Sequence, residues 1–572
     1  MKPHFIKPNR LSSAIIFFFL SLFIFKNSLF SQGIATGVPT FHCIGVSWSA
    51  SGGSAGTACA VQYRVAGSDA WKNGYPLWFD NRSVGGRPSN EFRGSIVGLQ
   101  PGTNYEIQLT AGSATKSFTA ATWSETFPVG STTNLSSPTT ISTSGTPASY
   151  RVYTGSISGG TNNITVDASY IIIRNMTLTG AGQDAIVLDQ NAHHVVIEGC
   201  DISGWGQVGM GSNNQGAVRI KGFSYNASNV KQIIIQRNKI HDSRENSNSW
   251  DEGGHPEGPN AITFDESGGN HVIRYNEIYN SSASKKFMDG IGGGDNFTFT
   301  GAPGANSDIY ANKIEDVYDD AIESEGGNCN VRIWGNWIDN TFTGIATAAN
   351  SVGPMYVWNN VSNLSVRSPS TGSAGTIDNE DRGPFNKCGS PDATYSGGRT
   401  YLFHNTILQP TQSGFSYPRG MGGGPVDNGG SLTNVYSRNN IWQTYRSNHP
   451  PIGEWQSSGS SGNTYDYDLY NGSLQIQASG THESNGINGT PTYANGVPLT
   501  GPNPSGYFLA SNSNGVDDGM VLNNFNDGYM GSAPDIGAYE TGKPALQFGV
   551  NAYLTNSPPL NQPPIANAGN DI

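Results

Sequence analysis

A single spacing constrains this chain more than any other feature. Leu178, Ile202, Ile240, Ile278, Ile314, Ile338, Val361, Ile407 and Ile441 follow one another at intervals of 24, 38, 38, 36, 24, 23, 46 and 34 residues. An Asn stands two positions before most of them, at Asn238, Asn276, Asn312, Asn336, Asn359, Asn405 and Asn439. The short intervals define a bare coil of 23 or 24 residues, and the long ones add loops to it. Such a coil has room for about three strands of ordinary length and their corners. The spacing therefore predicts a parallel β-helix rather than stacked helical repeats, right-handed as parallel crossovers are. The asparagines are expected to stack into an internal ladder whose amides bond from coil to coil, with Cys200 standing in for one of them.

A second phrase recurs beside the anchors: NAITF at 260, DGIGG at 289, DAIES at 320 and TGIAT at 343. If Ile262, Ile291, Ile322 and Ile345 point inward, the two-residue period of a strand sends the positions one and three later outward. Those positions carry Arg219 and Lys221, Thr263 and Asp265, Gly292 and Gly294, then Glu323 and Glu325, which makes a charged stripe on one face. The inserted loops 203–215, 241–259 and 279–288 fall at one corner and are expected to wall that stripe. The middle loop concentrates Arg244, Trp250, Asp251, His255 and Glu257, and a further insertion, 362–399, holds Asp378, Glu380, Asp381 and Arg382. Long loops beside carboxylates on a rigid scaffold point to an elongated cleft for a polymer. Trp250, Trp334, Trp337 and Trp358 are candidates either to stack on sugar faces or to pack beneath loops.

Glycosidic hydrolysis needs one protonated carboxyl and one carboxylate, about 6.5–9.5 Å apart in inverting enzymes. Glu323 and Glu325 would lie about 7 Å apart along a strand, with Asp265 about 10 Å away across two coils. The expected acid and base come from Glu323, Glu325, Asp265, Asp289 and Asp320, with Gly292 and Gly294 as a low floor for a sugar ring. Arg219, Lys221, Arg244, Trp250 and His255 are the expected substrate contacts. Hydrolysis requires no cofactor. The alternative is β-elimination, with Ca²⁺ held by Glu323 and Glu325 and with Lys221 or Arg219 as base, although about 14 Å separates base and acids on this register. A third reading is a passive binding protein or adhesin.

The net charge of −12 argues against nucleic acid as partner. A polyanionic chain fits only where Arg219 and Lys221 make the surface locally basic, so the expected partner is an anionic polysaccharide, sulfated or uronate-bearing, bound by a monomer. Only 13% of the residues are charged and Gly numbers 75, as in a turn-rich secreted β protein. Lys2, Lys7 and Arg10 ahead of the apolar run Ala14 to Phe25 read as a signal peptide over 1–32, and nothing else approaches a membrane span. From 35 to 125 the alternation in FHCIGVSW, ACAVQYRV, GSIVGL, NYEIQLTA and KSFTAAT predicts a small antiparallel sandwich. Cys43 and Cys59 are candidates to pair within it. The β-helix is expected over 130–541, and 542–572 as a linker with the start of a truncated module.

Several phrases carry resemblances. LQPGTNYEIQL, from Leu99 to Leu109, resembles the fibronectin type III module, where it turns into a late strand with a core Tyr. APDIGAYE, from Ala533 to Glu540, is similar to the closing motif of many secreted bacterial β-helix proteins, and PPLNQPPIANAGNDI resembles the opening of a polycystic-kidney-disease-type or cadherin-like repeat. The solenoid as a whole resembles the pectate-lyase-like superfamily of polysaccharide-degrading enzymes. Within it, MDGIG at 288 and YDDAIESEGGNCNVRI at 318 are similar to the polygalacturonase pattern, which implies catalytic roles for Asp289, Asp319 and Asp320. The His of that pattern is absent from the next coil, where Phe342, Thr343 and Gly344 stand.

Overall fold

The computed structural model describes residues 1, 33–207, 215–221, 229–248, 255–282, 285–293, 297–348, 350–365, 385–389, 393–408, 432–443, 451–454, 460–476, 482–496 and 506–554. Trp250, Asp251, Gly294, the acidic and basic residues at 378–382 and the N-terminal apolar run lie outside them. No helix among the described residues is long and apolar enough to cross a membrane.

The described residues between 129 and 488 wind as a parallel β-helix whose coils each contribute to up to three sheets. One, the site sheet, runs through Ile186–Leu188, Gly216–Ile220, Asn260–Phe264 and Ile291–Gly292 to the ends of Lys313–Glu323 and Trp337–Ala346, then Asn386–Lys387. A second contains His193–Glu198, Lys231–Gln236, Val272–Arg274, Asp308–Tyr310, Val331–Trp334, Met355–Trp358 and Thr400–Phe403. The third carries the anchors, with Leu178, Ile202, Ile240, Ile278, Ile314 and Ile338 aligned from coil to coil. All six are wholly buried, and with the inward residues of the other sheets they form one continuous aliphatic core.

The asparagine ladder forms at the corner before the anchors. Asn276 Oδ1 accepts from the backbone N–H and the side-chain amide of Asn238, both at 3.0 Å, and the same double bond repeats from Asn276 to Asn312 and from Asn312 to Asn336. Cys200 does occupy an Asn position, donating its N–H to Asn238 Oδ1 at 2.9 Å. Further along, the ladder uses Asn360 and Asn440, each one residue beyond the expected Asn359 and Asn439. The reason is the corner itself. The residue before each ladder position takes positive φ, as at Arg237, Tyr275 and Ala311 (54° to 59°), and in the pairs Asn359-Asn360 and Asn439-Asn440 the first Asn takes that role at 52° and 61°. Ser362 and Trp442 consequently occupy the inward anchor positions. Val361 and Ile441 face out, beneath Tyr507, Ile536 and Tyr539 of the returning C-terminal segment.

Ahead of the solenoid stand two four-stranded antiparallel sheets, one through Ala35–Pro39, Ile44–Trp48, Glu91–Ile96 and Trp78–Asp80, the other through Lys72–Asn73, Cys59–Val65, Asn104–Ala111 and Ala114–Ala121. Between them lies a core that includes Trp48, Phe92, Tyr105 and Ile107. The Tyr105 hydroxyl accepts the Gln100 N–H at 2.8 Å, the corner lock of immunoglobulin-like sandwiches. Cys43 and Cys59 are both free and buried. They do not pair because Cys59 faces the sandwich core while Cys43, preceding inward-facing Ile44, points at the solenoid.

The sandwich docks on the second sheet of the solenoid. Outward residues there form an aromatic row, with Tyr310 stacked on Trp334 at 4.0 Å and Trp334 on Trp358 at 5.4 Å. These residues are buried with Phe41, Val97 and Phe525, so Trp334 and Trp358 hold the molecule together and offer no face to a sugar. Trp337 is likewise buried, against Tyr507 and Phe548. Arg93 is fully buried at the same junction, paired with Asp80 and Glu91 and donating to the Val352 and Gly353 carbonyls at 3.1 Å.

Candidate active site

On the site sheet Ile262, Ile291, Ile322 and Ile345 do align, all buried. One residue later the outer face presents Arg219, Thr263, Gly292, Glu323, Ala346 and Lys387 on successive coils. A Cβ on Gly292 would stand 3.0 Å from Glu323 Oε2. The missing side chain lets the Glu323 carboxylate lie over the coil below, where it accepts the Gly293 N–H at 2.9 Å.

Two residues before the inward Ile, the corner is pinned by side chains. Asp289 N–H donates to Asn260 Oδ1 and Asp320 N–H donates to Asp289 Oδ1, both at 3.1 Å. Asp289 is thus a rung of this second, shorter ladder and also a member of an acidic cluster. Oxygens of Asp289, Asp319 and Asp320 lie within 4.8 Å of one another, and so do oxygens of Asp320, Glu323 and Glu325. Glu323 is half-buried and the other four are buried. Lys387 faces this group, its Nζ 3.0 Å from Asp320 Oδ2 and 3.1 Å from Glu325 Oε1. His255, on the 241–259 loop, reaches Asp319 Oδ2 with Nε2 at 3.3 Å.

Electrostatics follow from this crowding. Burial, then the charges of Glu323, Asp319 and Asp320, push the Asp289 carboxyl well above the usual range. Burial also raises Glu325 strongly, against the pull of Lys387, and raises Glu323 with help from Asp320. For Lys387 burial opposes the ammonium, but Asp320 and Glu325 outweigh it and hold the group protonated. Asp320 Oδ1 and Glu325 Oε2 are nevertheless buried without a hydrogen-bond donor among the described residues.

The described parts of the three inserted loops pack on one another. Arg244 N–H donates to the Trp205 carbonyl at 2.7 Å and Ser247 N–H to that of Lys286 at 3.0 Å, while Trp205 packs on Phe287 at 5.4 Å.

Other expected residues fall elsewhere. Asp265 belongs to an ion pair with Arg219, whose Nε and Nη2 donate to its Oδ2 at 3.1 and 3.0 Å, with Asp184 also 3.8 Å from the guanidinium. Asp265 therefore stands outside the acidic cluster, and the charge of Arg219 is already matched. Lys221 is half-buried in the same neighbourhood, and Arg244 is exposed. Lys387 is the residue that sequence reasoning missed. Its signal was faint, because the phrase FNKCG that carries it returns only after the 362–384 insertion and lacks the apolar-Ile motif of earlier coils.

No family model matches the sequence, and no curated protein does either. Among solved structures, the pectate lyase Pel9A is 13% identical, with 73% of this chain and 91% of that chain covered at a TM-score of 0.37. Jun a 1, the major allergen from cedar pollen, is 10% identical over 62% of this chain and 80% of that one, with a TM-score of 0.21. Likenesses this remote add nothing to the β-helix that the strand pairing itself displays.

Proposed function

We propose that this protein is a polysaccharide lyase acting on a uronate-bearing chain, with Lys387 as base beside a carboxylate site for Ca²⁺ built from Asp289, Asp319, Asp320 and Glu323, with Glu325 beneath. The observation that carries this reading is an acid cluster, facing one lysine, in which Asp320 Oδ1 and Glu325 Oε2 are buried without a hydrogen-bond donor among the described residues. Ca²⁺ takes six to eight oxygens at about 2.3–2.6 Å, so two ligands on one ion are at most about 5 Å apart. The 4.8 Å limit on both carboxylate triads meets that condition, and the donors are all hard oxygens. Hydrolysis by two carboxyls needs about 5–5.5 Å or about 6.5–9.5 Å between them to admit the sugar. Within each triad the acids bring oxygens within 4.8 Å of one another, a crowding that suits a shared cation, which is why elimination replaces hydrolysis as the first reading.

When bound, Ca²⁺ would neutralise the acids and the uronate carboxylate of the substrate. Lys387 then loses the net negative field that holds its proton, and its amine becomes available at a lower pH. The amine takes the proton from the carbon beside the uronate carboxyl. Electrons of that C–H bond form the new carbon–carbon double bond, and the glycosidic C–O bond at the next carbon breaks. The departing oxygen is protonated from solvent. Glu323 is kept over the Gly292 floor by the Gly293 N–H, and His255 fixes Asp319 from the loop wall. The anionic-polysaccharide partner is part of this proposal, with half-buried Lys221 as a further contact on the same face.

Hydrolysis remains the second reading because burial raises the Glu325 and Asp289 carboxyls, the direction a general acid requires. Assays on polygalacturonate and other acidic polymers, reading ultraviolet absorbance of an unsaturated product, separate the two. Lys387→Ala is expected to lower the rate by about 10²–10⁴-fold; reducing ends without the absorbance, undiminished in Lys387→Ala, would overturn elimination.

A further inference from the structure

A cavity lies away from the acidic cluster, where the chain leaves the sandwich and enters the solenoid. Trp123, Ser124, Thr126, Phe127 and Pro128 of that connection, with Pro147, overhang strands His193–Glu198 and Lys231–Gln236 and enclose a cavity of about 220 Å³. Its floor is apolar, backed by the buried residues Tyr150, Val196 and Ile234 of the second sheet. Its rim is polar and open, with Ser124, Thr126, Pro128 and Pro147 exposed and His194 and Gln232 half-buried.

From this arrangement we infer that the cavity receives a single neutral sugar ring, anchoring the protein on a polysaccharide chain at a place distinct from the acidic site. Size, charge and chemistry point the same way. The cavity is smaller than the roughly 300–1,000 Å³ that encloses a drug-sized ligand, and suits one ring. Its lining contains no Asp, Glu, Lys or Arg, in contrast with the acidic cluster. The only titratable edge besides Tyr150 is His194, whose imidazole is kept neutral by burial and by His193 and Lys231.

Aromatic walls with a few planar polar groups are what a sugar needs, because its C–H faces pack on rings while its hydroxyls both donate and accept. Trp123 and Phe127 are held in place by T-shaped contacts with Phe41 at 5.4 and 6.5 Å. His194 has its ring stacked on Tyr170 at 4.7 Å and its Nδ1 occupied by His193 at 2.8 Å, which leaves Nε2 for a ligand. The Gln232 amide makes no hydrogen bond to another described residue, so both its oxygen and its NH₂ remain available.

The test is calorimetric titration of the full chain with methyl glycosides of glucose, galactose, mannose, xylose and rhamnose, with methyl galacturonate as the charged control. At least one neutral glycoside is expected to bind with a dissociation constant of about 1–10 mM. Gln232→Asn keeps a residue that accepts positive φ, 57° here, while withdrawing the amide; it should weaken binding about fivefold. Trp123→Ala should weaken it about tenfold or more. Gln232→Asn should leave turnover of a soluble acidic polymer unchanged, and sugar binding is measured whether or not the protein cleaves anything. No neutral glycoside bound at about 50 mM, undiminished binding in Gln232→Asn, or tighter binding of the galacturonate would each overturn the inference.

Discussion

Asp320→Asn separates a functional carboxylate from a structural one, because the two roles give opposite signs. Asp320 belongs to both acid triads and lies 3.0 Å from Lys387 Nζ. At an effective dielectric of about 20, the attraction to Lys387 is about 5.5 kcal/mol before desolvation. Each ionised acid whose oxygen lies within 4.8 Å repels Asp320 by at least about 3.5 kcal/mol on the same scale. With two such neighbours ionised, repulsion of about 7 kcal/mol outweighs the attraction. The Asn amide also keeps an oxygen for Lys387 to bond. The substitution is therefore expected to leave the melting temperature of the metal-free protein unchanged or slightly raised, while the rise on adding Ca²⁺ disappears and activity falls by about two to four orders of magnitude. Differential scanning calorimetry with and without Ca²⁺, beside initial rates on an acidic polymer, reads all three. A melting temperature lowered by several degrees with activity intact would show that Asp320 serves only as the partner of Lys387.

Further outcomes follow from the same geometry. Because Glu325, Glu323 and Asp289 have folded pKa values above their unfolded ones, the unfolded state holds fewer of their protons above about pH 4.5, so their contribution to stability falls as pH rises from there. Chelated protein should accordingly melt lower at pH 8 than at pH 5, and saturating Ca²⁺, at about 100 times its dissociation constant, should restore about 2.7 kcal/mol at pH 8; an equal Ca²⁺ effect at both pH values would contradict this. In the interior ladder, Asn312→Ala strips Oδ1 from the N–H groups of Asn276 and leaves the Ile273 carbonyl and Asn336 Oδ1 without its amide. Unpaired buried groups cost about 1–3 kcal/mol each, so urea denaturation should register a loss of at least about 3 kcal/mol, and a loss under 1 kcal/mol would deny the ladder its role.

Repetition is what made the fold legible. Aligned anchors such as Ile240, Ile278 and Ile314 are each fixed by a local period, which a sequence records directly. The ladder slipped by one residue where Asn359-Asn360 and Asn439-Asn440 offer two candidates, because the choice depends on which of them takes the positive φ of the corner. Trp334 and Trp358 could not be assigned from their coil alone, since a sandwich some three hundred residues earlier in the chain covers them. Within the site, Glu323 and Glu325 were readable as outward positions of one stripe, and Asp289 and Asp320 through the likeness of their phrases to a known pattern. Their grouping with Lys387, and the pairing of Arg219 with Asp265, depend on how adjacent coils register across insertions of unequal length.

The identity of the cleavage product tests the central reading most directly. Purified protein is incubated with a uronate-bearing polysaccharide in the presence of Ca²⁺, and the products are analysed by ultraviolet absorbance and mass spectrometry together. Elimination by Lys387 yields a new end that absorbs and is lighter by one water than a hydrolytic fragment. Fragments that carry the added water and do not absorb would contradict it.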